Sequence, residues 1–149
     1  MRLKHRFDKI IRLKSHETVS ARQAYDQAVE MFRIEGTALY HLLKEKEAVE
    51  TELGEVLKKG CTLLHIQSSQ AFLGQLSEEV ARKQHQVADA RNVMQAKQEV
   101  LLLKNIEQKK YEHLKDVQTQ KEKELHQAEE AKMLDEVSIQ QHQKNGAQV

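Results

Sequence analysis

Eight histidines, one cysteine and 23 carboxylates are the groups in this chain suited to ligating a metal or moving a proton. Their spacing supports neither task. A carboxylate-bridged metal site in a helical bundle takes Glu-x-x-His pairs, and no histidine here stands three residues after a glutamate. His16-Glu17 lacks a second histidine at position 20, which is serine, so the zinc-protease helix pattern is absent. No Gly-Lys-Ser or Gly-Lys-Thr follows Gly54 or Gly60, so no phosphate-cradling loop is predicted. Cys61 has only His65 near it in sequence and reads as an incidental thiol. A lone cysteine also excludes an intramolecular disulfide and a cysteine-rich zinc site. No catalytic residue, cofactor or metal ligand is predicted.

The elements that carry these residues follow from composition. The 149 residues include no proline, no tryptophan and five glycines, with 32% charged and 4% aromatic side chains. Sheets, barrels and long loops need more turn residues than this. Strong helix formers dominate, which predicts an all-α chain of long helices. The net charge of +1 argues against a basic nucleic-acid binder. Residues 1–14 nevertheless hold six basic side chains against Asp8 alone. No apolar run is long enough to span a bilayer or serve as a secretory h-region. The chain is therefore expected to be peripheral to a membrane at most. The basic start also has a transit-peptide reading, opposed by Asp8 and the lack of early serines.

Alternating steps of four and three from Phe7 to Val56 meet apolar residues at eleven of fifteen positions. Such a stripe is a coiled-coil seam. It stops at Lys58-Lys59-Gly60-Cys61-Thr62, where Gly60 suits a left-handed helix end and Thr62 a helix cap. A second series, from Ile66 through Leu73, Leu76, Val80, Val87 and Met94 to Leu101, is apolar at eight of eleven positions. Two seams around one turn predict an antiparallel hairpin, helix one about 5–58 and helix two about 63–141. The numbers of facing residues then add to about 119, pairing Leu53 with Ile66, Leu39 with Val80, Phe32 with Val87 and Tyr25 with Met94. Such a hairpin has no concave pocket from which to exclude water.

Beyond Leu101 the same frame meets Lys104, Gln108, Tyr111, Lys115, Gln118 and Glu122, while apolar residues move to Leu103, Ile106, Leu114 and Val117. That displacement predicts a stutter in the supercoil. Residues from about 115 to 142 outrun helix one, a helical overhang about 40 Å long. It is almost wholly polar, and so frayed alone and ordered on a partner. Residues 143–149 read as a disordered tail. Gly36, Gly54 and Gly74 interrupt the stripes; they make a marginal coiled coil, or allow a partner to approach closely.

What remains is surface for binding protein. Phe72 sits beside seam residue Leu73, and Tyr40 and Leu43 flank Leu39 and Leu42. Aromatic and aliphatic surplus of this kind either anchors a partner or widens the packed stripe. Ile10 and Leu13, beside Ile11, are similar surplus. The basic start is a solvated face, or a means of steering an acidic partner.

Three segments resemble the flagellar FliJ family. Phe7-Asp8-Lys9-Ile10-Ile11-Arg12-Leu13-Lys14, followed by Glu17, resembles its F-x-K-hydrophobic-hydrophobic-x-L-K opening. Gln70-Ala71-Phe72-Leu73, with Leu76 and Val80, resembles its central Q-x-F-L segment. Lys132-Met133-Leu134-Asp135-Glu136 resembles its lysine–hydrophobic–Asp–acidic close. The departure is Glu45, Val49 and Ser69, where members often carry further aromatics. The resemblance implies a cytoplasmic component of the flagellar type III export apparatus, folded like the stalk of a rotary ATP synthase. It implies three partners: the export ATPase FliI, the export gate protein FlhA, and export chaperones. The ATPase end would comprise Phe7, Lys9, Ile10 and Leu13 with Leu134 and Asp135; the gate side would comprise Tyr40, Leu43, Phe72 and Leu76. Two other readings are a generic coiled-coil scaffold or dimeriser, and a virulence-type secretion stalk.

Overall fold

The computed structural model describes residues 2–146, with side-chain surroundings from residue 3 onward. It holds two helices, α1 (Arg2–Lys59) and α2 (Leu63–Gly146), packed as an antiparallel hairpin. Each runs unbroken because no proline interrupts it. Helix α2 continues four residues into the segment expected to be a tail, and residues 147–149 lie outside the described part.

The turn obeys local rules. Gly60 has φ of 88°, the left-handed conformation that costs residues with a Cβ but not glycine. Lys58 and Lys59 lie in the last turn of α1, where the helix dipole favours cations. The Thr62 side-chain oxygen accepts from the His65 amide at 3.3 Å, and its carbonyl accepts from the Ile66 amide at 3.2 Å. Thr62 is thus the N-cap of α2.

The chain divides into two units, one of Thr18–Leu103 and one of Met1–Glu17 with Lys104–Val149. The first contains the turn. Its core is Thr18, Ala21, Ala28, Leu76, Val80, Ala90 and Leu101, all buried along the seam. Within the described residues no large side chain is wholly enclosed. Two helices bury one stripe each, so every core residue keeps an open side.

The seam follows the heptad frame closely. All fifteen positions from Phe7 to Val56 are buried or half-buried, as are ten of the eleven from Ile66 to Leu101; Lys97 is exposed. The stutter does not form. Lys104, Gln108, Tyr111, Lys115 and Gln118 remain half-buried, and Leu103, Ile106, Leu114 and Val117 face solvent. The physical reason is electrostatic. Helix α1 offers Asp8, Lys14 and Glu17 at this level, and the polar frame of α2 pairs with them. Turning the apolar series inward would strip those charges of their partners.

Candidate protein-binding surfaces

In the terminal unit, ion pairs occupy the seam. Lys14 lies 2.8 Å from Glu107 and 3.5 Å from Glu17, and Lys104 lies 3.3 Å from Glu17. Lys115 pairs with Asp8. The Lys14 ammonium also stands 5.8 Å from the Tyr111 ring centre, a cation–π distance. Its bond to Glu107 raises the Lys14 pKa and lowers that of Glu107. Asp8 is held low chiefly by its hydrogen bond from Lys115.

These pairs define the flanks of the hairpin. Lys14 reaches both Glu17 on its own helix and Glu107 on α2, so the two glutamates share one flank. Each immediately precedes a seam residue, Thr18 and Gln108. In antiparallel helices, positions that precede the seam share a side. Asp8 follows seam residue Phe7 and lies on the other flank.

Of the residues expected at the ATPase end, Phe7 is a half-buried seam residue, Ile10 is half-buried, and Lys9 and Leu13 are exposed. Leu134 and Asp135 are exposed on the overhang. The structure does not bring them beside Phe7. Asp8 is level with Lys115, and Leu134 stands 19 residues further along, about 28 Å of helix. The overhang itself is plain: every residue from 119 to 146 is exposed. A thin apolar set, Leu125, Met133, Leu134, Val137 and Ile139, is left without cover within the described chain.

In the unit containing the turn, Phe72 is 43% exposed and lines an open groove of about 310 Å³ with Val49, Glu52, Leu53, His65, Ser68 and Ser69. Ser69 explains the space. It holds a seam position but is too small to fill it. Tyr40 and Leu43 are also exposed, yet they lie on the opposite flank. Tyr40 follows Leu39 and packs edge-on against His41, whereas Phe72 precedes Leu73. Leu76 has only 3% of its surface exposed and is the most buried of the apolar core. It seats the helix beneath Phe72 rather than offering surface of its own. The four gate-side residues therefore form no single patch.

Sequence reasoning also passed over exposed apolar residues. Leu57, Leu63 and Leu64 stand out around the turn. Leu3, Leu114 and Val117 stand out in the terminal unit. The signal for Leu114 and Val117 was present as the displaced apolar series, read as a shift of the seam instead of a second face. Among the described residues no group of three or more His, Cys, Asp or Glu is gathered for a metal ion. No described helix is long and apolar enough to cross a membrane.

Comparison with known proteins agrees on one family. The sequence matches the family described as "Flagellar FliJ protein" over residues 3–147. A relative bearing that same description, from Bacillus subtilis (strain 168), is 33% identical over 141 residues, covering 95% of this chain and 96% of the relative. No solved structure matches the chain.

Proposed function

This chain belongs to the FliJ family of flagellar proteins, a component of the flagellar export apparatus, and from that premise we propose that it acts there as a non-catalytic stalk. The joined ends of the hairpin enter the ring of the export ATPase FliI. The flank bearing Phe72 meets the export gate protein FlhA. Export chaperones are handed on by the same cytoplasmic protein, held at the membrane face only through the apparatus.

The observation that carries this reading is the overhang. From residue 119 to residue 146 a continuous helix is exposed on every side, with α1 too short to cover it. A lone, mostly polar helix of this length is marginal in water and gains order from a partner that surrounds it. A ring does so without demanding a broad apolar face.

The test is capture of the export ATPase and the gate protein on immobilised chain. Ending the chain at residue 121 removes all but the first three residues of the overhang and leaves every interhelical ion pair described above in place. The truncated chain should lose ATPase capture and keep gate capture, and Phe72→Ala should do the reverse. Unchanged ATPase capture by the truncated chain would refute the stalk reading.

A further inference from the structure

The geometry points to a second docking surface in the terminal unit: the flank on which Ile10 faces Leu114 receives an amphipathic helix whose edges are acidic. The ion network fixes that flank. Glu17 and Glu107 stand on it together, both within reach of Lys14. One heptad back along α1, Ile10 takes the place of Glu17. One heptad on along α2, Leu114 takes the place of Glu107. Leu3 repeats Ile10 a heptad earlier, and Leu13 and Val117 lie one turn on from Ile10 and Leu114. Leu3, Leu13, Leu114 and Val117 are 42%, 56%, 41% and 38% exposed, and Ile10 is half-buried.

The heptad spacing on both helices makes this an interhelical groove with holes at coiled-coil intervals. A third helix fits such a groove better than a flat lipid surface does. The charges specify its chemistry. Arg6 lies one heptad before Leu13, Lys110 one heptad before Val117, and Lys121 one heptad after Leu114, and all three are exposed. None of the three makes an ion pair within 4 Å among the described residues. The acids Asp8, Glu112 and Asp116 lie on the other flank, Asp8 taken up by Lys115, and Glu124, a heptad after Val117 on this flank, accepts a hydrogen bond from Gln120 at 3.3 Å. Glu17 and Glu107, already paired with lysines, close the groove at its inner end. Apolar residues in the middle and exposed basic residues on the rim select a partner of opposite pattern, with leucine-like knobs and Glu or Asp beside them. This surface shares Ile10 and Leu13 with the proposed ATPase end and only Lys121, which the truncated chain keeps, with the overhang, so loss of ATPase capture on truncation and loss of peptide binding in Leu114→Lys are separate failures.

The test uses the full chain and two synthetic amphipathic peptides of about three heptads, with leucine along the seam and either glutamate or lysine beside it. The glutamate peptide should bind about tenfold or more tightly than the lysine peptide, and less tightly as salt rises. Lys110→Glu with Lys121→Glu should reverse that preference, and Leu114→Lys should abolish binding of the glutamate peptide. Leu114 is exposed, so helical circular dichroism should be unchanged in that variant; the charge reversal tests the site even if it is not. Equal binding of both peptides, no binding, or binding indifferent to Leu114→Lys would overturn the proposal. Self-association lost in Leu114→Lys would overturn it in favour of a second copy. Binding to phosphatidylglycerol vesicles lost in the same variant would overturn it in favour of a membrane.

Discussion

Lys83 donates to Glu35 across the seam at 2.9 Å, each being a charged residue at a core position of its own stripe. Their numbers add to 118, beside the 119 that the turn predicts. The other interhelical ion pairs add to 121 for Lys14 with Glu107 and for Glu17 with Lys104, and to 123 for Asp8 with Lys115. A polar pair inside an apolar seam restricts which residues can face one another, because any slip strands both charges.

Replacing one partner alone should therefore hurt more than replacing both. Glu35→Ala or Lys83→Ala should destabilise the hairpin by about 1 kcal/mol, since the side chains are only a quarter exposed. The double change Glu35→Leu with Lys83→Leu should match or exceed the parent. Thermal unfolding followed by circular dichroism measures all three.

Acid should loosen the terminal unit. Asp8 and Glu107 both have lowered pKa values in the folded chain, from reference values of 3.8 and 4.5. A lowered carboxyl pKa contributes stability above the unfolded value and loses it as pH falls through the folded one. The loss should therefore start below about pH 4.5, where Glu107 of the unfolded chain takes up protons, and proceed as pH falls through its lower folded value. Lys14, whose pKa is raised, contributes fully below its unfolded value of 10.5 and loses that contribution as pH rises above it. Hydrogen exchange in residues 3–17 should accelerate below that acid limit, and Asp8→Asn should already show part of the acceleration at neutral pH.

The turn makes a narrower prediction. A Cβ at Gly60 meets nothing within 4 Å, so Gly60→Ala carries no clash and only the strain of positive φ. It should cost about 1 kcal/mol in urea unfolding, with an unchanged slope. Gly36→Ala, in mid-helix with equally open surroundings, should stabilise by about the same amount.

Much of this was legible in the residues. The heptad frame located both helices, the turn at Gly60 and every half-buried seam position of α1. Ile10, Leu13 and Phe72 were likewise visible as surplus beside a seam. Two features were not. Helix faces follow from sequence, but the choice between an apolar and a polar face depends on what the partner helix presents. Asp8, Lys14 and Glu17 decided that choice at Lys104–Gln118, and the apolar Leu114 and Val117 were left outside. Flank assignment was the second. Tyr40 and Phe72 each adjoin a seam residue, yet only the antiparallel pairing shows that they face opposite ways.

Phe72 and Leu76 separate surface from core. Phe72→Ala should change stability by less than about 1 kcal/mol, because much of its ring is already in water. Leu76→Ala should cost about 2 kcal/mol or more, through the lost contacts of a buried side chain. Both variants should weaken gate binding, but only that of Leu76→Ala should recover on cooling or under conditions that restore the helical signal.

The stalk reading assigns the two ends of this hairpin to different partners, and site-specific photo-cross-linking tests that polarity directly. A cross-linker at Leu134, on the overhang, should capture the export ATPase, and one at Phe72 should capture the gate protein. Capture of the ATPase from position 72 and not from position 134 would contradict the account.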